Sequence, residues 1–185
     1  MPRVLASDIE IHYEEYGAGE PLLLIAGLGA NVCDWAPQIP TLTQHYRVIA
    51  FDNRGAGRSD KPDGTYTISQ LASDTAGLMN ALGIDSAHVL GHSMGGFVAQ
   101  ELALSHPQRL RSLVLSAATC GGTRSVPPPP SSMHLLTNLP TMTLREAALH
   151  GLPLLYSQQF IDHNRGLILF SPGTCSPDTW SLFHQ

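Results

Sequence analysis

The stretch Ala87-His88-Val89-Leu90-Gly91-His92-Ser93-Met94-Gly95 decides the fold of this 185-residue chain. Its first four residues are a short, largely apolar run, its last five read G-x-S-x-G, and a segment with several small residues continues from Met94 to Ser105. This order predicts a strand, a sharp turn that carries Ser93, and a helix, which together we call the elbow. Glycine is required at Gly91 and Gly95 because a Cβ at either place would strike the neighbouring strand or helix in so tight a turn.

The expected turn makes Ser93 a candidate nucleophile. Its Oγ would project at the carboxyl end of a sheet, beside the positive end of a helix dipole. Attack by a serine on an acyl carbon moves charge onto the carbonyl oxygen, which backbone N–H groups must stabilise. The donors predicted for this oxyanion hole are the N–H of Met94 and that of Leu28, in the loop after the third strand; a plain tight turn explains the glycines of that loop about as well. His92 is too close to Ser93 along the chain to reach its hydroxyl, and it is predicted to be packed or to line a pocket.

Hydrophobic patterning extends the elbow into an α/β fold. Two alternating stretches, Arg3 to Ala6 and Ile9 to Tyr16, predict a hairpin of half-buried strands. Helices are predicted at Thr67 to Leu82, between a capping box and Gly83, and at Met94 to Ser105. Almost continuously apolar runs predict parallel strands that are covered on both faces: Leu22 to Ala26, Arg47 to Phe51, Ala87 to Leu90 and Ser112 to Ser116. Strands and helices in alternation predict a doubly wound, mostly parallel sheet.

A second motif adds a family resemblance. The stretch from Phe51 to Ser59 reads F-D-N-R-G-A-G-R-S, which is similar to the D-x-R-G-x-G-x-S loop after the fourth strand in the α/β-hydrolase superfamily. From about Glu10 to Ala118 the chain resembles the esterase-like enzymes of that superfamily, the AB hydrolase-1 type. The resemblance implies a serine hydrolase that cleaves a carboxylic ester or related acyl compound through a Ser93 acyl-enzyme. It also implies that Asp52 and Arg54 support their loop structurally.

The catalytic partners of a serine nucleophile are not found in the sequence. A serine needs a histidine base and the histidine needs an acid; the resemblance places the acid and then the histidine after a seventh and an eighth strand. No convincing strand follows Ser116, so we expect an amino-terminal portion that lacks the last strands, with acid and base missing and little or no activity by itself. The candidates Asp162-His163, and Asp178 with His184, are predicted to be solvated surface residues.

The carboxyl-terminal third of the chain has a different character. Gly121-Gly122 and the run Pro127 to Pro130 predict a stiff hinge. We therefore predict a hydrolase core at 1–123 and a truncated, helical, cap-like segment at 124–185, which resembles the cap that such enzymes insert after the sixth strand. Its apolar side chains either line an acyl or alcohol pocket or form the core of the cap; the candidate pocket residues are Leu135, Leu139 and Tyr156, together with His92.

Composition narrows the expected partners. Fifteen acidic against ten basic residues give a net charge of -5, and only 14% of the residues are charged, which argues against binding to nucleic acid or anionic membranes. The longest apolar run, Pro21 to Ala30, is too short to span a bilayer and the N-terminus lacks a signal-peptide pattern, so a soluble, cytoplasmic protein is expected. Histidines and cysteines are not at metal-ligand spacing and the glycine-rich loops lack a nucleotide-binding pattern, so no metal and no cofactor are expected.

Two further expectations follow from the missing strands. The sixth strand would present an apolar edge at Leu113-Val114-Leu115, which predicts self-association in addition to a small ester or acyl substrate as partner. The missing acid and base also leave an alternative function open, a non-catalytic relative that binds a ligand or a partner protein. The exposed serine on a strained turn argues against that alternative, because a protein that only binds does not need one.

Overall fold

The structure is a computed structural model that describes residues 2–123, 125–138, 141–143, 146, 150–151, 153 and 156–164. The described residues fall into two compact units, 2–121 and 122–164. The first unit contains the sheet and the elbow, and the second contains helices.

The described residues of the first unit form a mixed sheet of six strands. Their bounds are β1 Arg3–Ala6, β2 Ile9–Tyr16, β3 Glu20–Ile25, β4 Tyr46–Phe51, β5 Ala87–His92 and β6 Leu110–Ser116. The strand order is β1-β2-β4-β3-β5-β6. The pairs β1 with β2 and β2 with β4 are antiparallel, and the other three pairs are parallel. The predicted hairpin and the predicted α/β fold with a mostly parallel sheet are therefore confirmed.

Helical segments cover both faces of this sheet. Their bounds are α1 Ile39–Leu42, α2 Ile68–Ala81 and α3 Met94–Ser105, with 3-10 turns at Val32–Trp35 and Pro107–Arg109. One apolar cluster contains Leu23 of β3 and Leu78 of α2, and the opposite cluster contains Leu24 of β3 and Trp35. Consecutive residues of β3 belong to opposite clusters because successive side chains of a strand point to opposite faces.

Helix α2 matches its predicted position to within one residue at each end. The Oγ1 of Thr67 accepts a hydrogen bond from the N–H of Gln70 at 3.1 Å, which caps the first turn. After the helix, Gly83 has a φ of +65°, a left-handed conformation that stops a helix and favours glycine. The bounds of α3 are those predicted.

Strand β6 corrects the expectation of a strand that is covered on both faces, and it agrees with the expectation of an exposed apolar edge at Leu113-Val114-Leu115. Its side chains are exposed along most of its length, with Leu113, Val114 and Leu115 at 37%, 49% and 42%. The physical reason is its place in the sheet, because among the described residues it is the last strand and has only β5 beside it. Apolar composition predicts that a segment is a strand, but what covers it depends on its neighbours.

The second unit contains the helices Pro130–Asn138 and Gln158–His163. The Oγ of Ser157 caps the second of these by accepting from the N–H of Phe160 at 3.3 Å. No helix within the described ranges is both long and apolar enough to cross a membrane.

Candidate active site

Ser93 lies between β5 and α3 with a backbone that residues bearing a Cβ rarely adopt. Its φ is +54° and its ψ is -121°, a conformation that costs such a residue about 1–3 kcal/mol. Two backbone hydrogen bonds hold it there: the Ser93 N–H donates to the carbonyl oxygen of Ser116 at 2.9 Å, and the Ser93 carbonyl accepts from the N–H of Gly96 at 2.9 Å. Strand β6 and helix α3 together fix the conformation of the turn.

The glycines on either side of Ser93 let the helix approach the sheet. A Cβ on Gly91 would lie 2.7 Å from the carbonyl carbon of Gly95, and a Cβ on Gly95 would lie 2.6 Å from the carbonyl carbon of Ile25. Neither position can hold a side chain unless the backbone shifts. As a result, α3 begins directly against the end of β3, where the loop that contains Leu28 starts.

Two backbone N–H groups near Ser93 have no acceptor among the described residues. Met94 is the first residue of α3, so its N–H has no partner inside the helix, and the Ser93 side chain does not cap that helix. Leu28 lies in a turn that the N–H of Ala30 closes by donating to the carbonyl of Gly27 at 3.3 Å. A Cβ on Gly27 would be 3.6 Å from Ser93 Oγ. The two donors predicted for an oxyanion hole are therefore unoccupied by these residues, and the loop of Leu28 runs beside Ser93.

Two consecutive side chains after β4 hold the two ends of this loop. Asp52 Oδ1 accepts a hydrogen bond from the N–H of Val32 at 2.8 Å, and Asp52 Oδ2 accepts one from the N–H of Arg58 at 2.7 Å. Asn53 Nδ2 donates to the carbonyl oxygen of Ala26 at 3.0 Å, and both side chains are buried. Sequence reasoning missed Asn53, whose signal was an amide side chain placed just after the end of a buried strand.

A buried ion pair joins the same loop to α2. Arg54 donates from Nε and Nη2 to the two carboxylate oxygens of Asp74, each at 2.7 Å, and both side chains are 3% exposed. Arg54 also pairs with Asp8, whose side chain is mostly exposed. Hydrogen bonds to Asp74 and then to Asp8 raise the pKa of Arg54, and the hydrogen bond from Arg54 lowers the pKa of Asp8. The guanidinium therefore stays charged inside the fold.

The side chain of His92, at the end of β5, packs against two neighbouring side chains. Its Nδ1 lies 3.2 Å from Ser116 Oγ, and its ring meets that of Trp35 edge to face with 6.4 Å between centroids. In the turn that carries Trp35, burial raises the pKa of Asp34, although a hydrogen bond from the N–H of Asn31 opposes that shift. Within the described part of the chain, no hydrogen bond joins His92 to Ser93.

The candidate acids and bases of the tail are engaged elsewhere or lie outside the described residues. Across the ranges that the structure describes, no imidazole or carboxylate forms a hydrogen bond with Ser93 Oγ, and no group of three potential metal ligands occurs. In the second unit, Asp162 accepts from Gln158 Nε2 at 3.1 Å and His163 Nδ1 donates to the carbonyl of Gln159 at 2.7 Å.

The remaining predicted residues are placed only in part. Asp178, His184 and Leu139 lie outside the described residues, and so does the side chain of Leu135. Tyr156 belongs to the second unit, where its ring stacks on that of Phe160 at 4.9 Å.

Comparison with known proteins gives the family. The model of the family described as alpha/beta hydrolase fold matches residues 20–165. The chain belongs to this family. A curated relative from Azorhizobium caulinodans, named as carbamate hydrolase RutD, is 43% identical over 115 residues, which are 62% of this chain and 43% of that protein.

Solved structures agree with the family assignment. The enol-lactonase from Burkholderia xenovorans LB400 matches with a TM-score of 0.77 and 30% identity over 91% of this chain and 65% of its own. A thermophilic esterase from Thermogutta terrifontis matches with a TM-score of 0.73 and 29% identity over 91% of this chain and 64% of its own. The chain spans between 43% and 65% of the length of these three proteins. By sequence and by structure, the proteins it is similar to are α/β hydrolases.

Proposed function

We propose that this α/β hydrolase uses Ser93 as a nucleophile toward the acyl carbon of a carboxylic ester or a related acyl compound. Ser93 Oγ attacks the carbonyl carbon, the alcohol or other leaving group departs with a proton, and an acyl-enzyme remains. The N–H groups of Leu28 and Met94 stabilise the charge that develops on the carbonyl oxygen. Water then attacks the same carbon, which releases the acid and restores the serine.

The backbone of Ser93 is the observation that carries this proposal. A φ of +54° is costly for serine, and the bonds to β6 and α3 maintain the conformation instead of relieving it. The conformation leaves the hydroxyl unused as a helix cap, next to the N–H of Met94 and to the loop that contains Leu28. Neither the Met94 N–H nor the Leu28 N–H has an acceptor among the described residues. A protein that only bound a ligand or a partner would gain nothing from this arrangement, so catalysis is favoured over the non-catalytic alternative.

The names of the relatives support an acyl substrate. One is named as a carbamate hydrolase, one as an enol-lactonase and one as an esterase. A lactone is a cyclic ester, and a carbamate also has an acyl carbon bonded to oxygen. In all three kinds of substrate, attack on the acyl carbon places negative charge on an oxygen that backbone N–H donors can stabilise. A carboxylic ester is therefore the simplest substrate to propose.

The general base and its acid are the parts that the described residues do not supply to Ser93. We propose that both come from other residues, in the order serine, acid, histidine of this fold. Where they do not act, binding and an oxyanion hole still give about 10³–10⁴-fold acceleration over water. Slow acylation of Ser93 and still slower release of the acyl group are then expected.

Labelling by a fluorophosphonate tests this proposal, because the probe phosphonylates a serine whose attack is assisted by an oxyanion hole. We expect slow labelling of the chain at Ser93, and none in Ser93→Ala. Ser112→Ala is the matched control: Ser112 Oγ lies 2.7 Å from His88 Nδ1, but on ordinary strand backbone. Its labelling should equal that of the unmodified chain. If the unmodified chain is labelled, equal labelling of Ser93→Ala would contradict the proposal. The absence of Ser93-dependent labelling in a longer form of the chain that supplies the base and the acid would contradict it as well.

A further inference from the structure

The loop from Ala26 to Val32 is held at both ends by two side chains that are consecutive in sequence, and each of them binds a different end. At the far end, Asp52 accepts a hydrogen bond from the N–H of Val32. At the near end, Asn53 donates one to the carbonyl oxygen of Ala26. The near end is the one that leads into Leu28. Asn53 is buried, and its bond to Ala26 spans 27 residues of sequence.

The direction of the Leu28 N–H is set by the peptide planes before it. In a trans peptide the N–H of Leu28 points opposite to the carbonyl of Gly27, so fixing that oxygen fixes the donor. The Gly27 oxygen accepts from the N–H of Ala30 at 3.3 Å, a long bond in a turn where Gly29 has a φ of +72°. The preceding plane, between Ala26 and Gly27, is fixed at its oxygen by Asn53 at 3.0 Å.

The bond from Asn53 is therefore the shorter and better protected of the two that orient this donor. Gly27 has no Cβ to restrict its own rotation. If the Ala26 oxygen lost its partner, the plane that precedes Gly27 could rotate, and only the long 3.3 Å bond at the Gly27 oxygen would still orient the Leu28 N–H. The Ala26 oxygen also lies close to the start of α3, where a Cβ on Gly95 would be 2.7 Å away. A released carbonyl at this place would disturb the site that must receive a negatively charged oxygen.

We propose that Asn53 is a positioning residue that aims the Leu28 N–H at the oxyanion by holding the carbonyl of Ala26. This inference rests on the proposed function of Ser93, but it adds a residue and a role that the motif around Ser93 does not contain. The hydrogen bond of the Asn53 side chain goes to the carbonyl of Ala26 and not to Ser93, so Asn53 acts through the backbone of the loop.

The test compares two variants that lose a buried hydrogen bond of the same kind. Asn53→Leu keeps a similar volume and removes the donor to the carbonyl of Ala26. Thr75→Val, the control, removes the donor to the carbonyl of Leu71, a buried bond of 2.9 Å within α2. Asn53→Gln restores an amide donor and is expected to recover part of the loss.

Two readouts separate positioning from stability. The first is the saturation kinetics of fluorophosphonate labelling, in which the maximal rate should fall about tenfold to hundredfold in Asn53→Leu while the half-saturating concentration stays the same. The second is amide hydrogen exchange, which should quicken in the peptide that covers 26–32 only in Asn53→Leu. Thr75→Val should keep the rate and the exchange of the unmodified chain at this loop.

The two hypotheses fail in different ways. If the unmodified chain is labelled at residues other than Ser93, the proposed function fails. In that case, or if the chain is not labelled, hydrogen exchange alone decides whether Asn53 orders the loop. If Asn53→Leu and Thr75→Val give the same exchange in 26–32, or if the unmodified chain is labelled and both variants are labelled at equal rates, the role of Asn53 is overturned.

Discussion

Substitution of Gly95 by alanine should displace the start of α3 from β3 without unfolding the rest of the chain. The added Cβ would lie 2.6 Å from the carbonyl carbon of Ile25 and 2.7 Å from the carbonyl oxygen of Ala26, whereas ordinary contact begins at 3.4 Å. The carbonyl oxygen of Ile25 would be closer still, so the start of α3 must move away from β3 by more than about 0.8 Å. Both neighbours are backbone atoms inside the sheet, so a rotamer change cannot relieve the clash.

The expected effects follow from that displacement. Alanine in place of glycine favours a helix by about 1 kcal/mol, while overpacking costs about 1–3 kcal/mol. We expect a net loss of up to about 2 kcal/mol, which lowers the melting temperature of a chain of this size by up to about 8 °C. A displacement of this order between the proposed nucleophile and its proposed oxyanion donors is expected to lower the labelling rate of Ser93 by about 10²-fold.

Thermal melting and the rate of fluorophosphonate labelling check both parts. Gly77→Ala is the matched control, since Gly77 is a helical glycine of α2. Its added Cβ would lie 2.8 Å from the Ser7 hydroxyl and 3.0 Å from the Ser7 backbone nitrogen, and its three nearest atoms belong to Ala6 and Ser7. Gly77→Ala should label at the rate of the unmodified chain. A Gly95→Ala variant that labels at that same rate would refute the argument that α3 packs directly on β3.

The remaining predictions concern the buried ion pair, the pH dependence and the exposed strand. Arg54→Met leaves the Asp74 carboxylate buried without its partner, so urea denaturation should show a loss of about 3 kcal/mol in the free energy of unfolding; an unchanged midpoint would contradict this. Hydrogen bonding to His88 lowers the pKa of Glu20, so its contribution is present above the ordinary carboxylate pKa and is lost as the pH falls through the lowered value. The stability gap to Glu20→Gln in thermal melts should therefore close in acid, and a gap that widens there would exclude this linkage. We also propose that β6 mediates self-association, so Val114→Lys should lower the sedimentation coefficient of a concentrated sample; a clean monomer without the substitution would exclude it.

Local patterns in the sequence were sufficient to predict the sheet and its main helices. The strands alternate or are continuously apolar, and α2 has a cap and a stop glycine that act within a few residues of the helix ends. The exposure of β6 could not be predicted from its own residues. Leu113 and Val114 are apolar, as is typical of a strand buried on both faces, but they are exposed. Whether a strand is buried depends on elements that are distant in sequence.

The elbow was predictable for the same reason. The side chains that hold the loop from Ala26 to Val32 were not predictable. Ser93 and Met94 are adjacent, so one short motif specifies their geometry. The bond from Asn53 to Ala26 forms because β3 and β4 are neighbours with Ile25 opposite Phe51, which brings the residues that follow these strands together. The pairing register of two strands depends on the tertiary structure, and the residue pattern within either strand does not predict it.

Trapping of an acyl-enzyme tests the central claim most directly. The chain would be incubated with an activated aryl ester, quenched in acid, digested, and mapped by mass spectrometry. We predict one acyl group on the peptide that contains Ser93, formed in step with a burst of released phenol and absent in Ser93→Ala. Acylation at other residues, or phenol release that is equal in Ser93→Ala, would contradict the claim that Ser93 is the nucleophile.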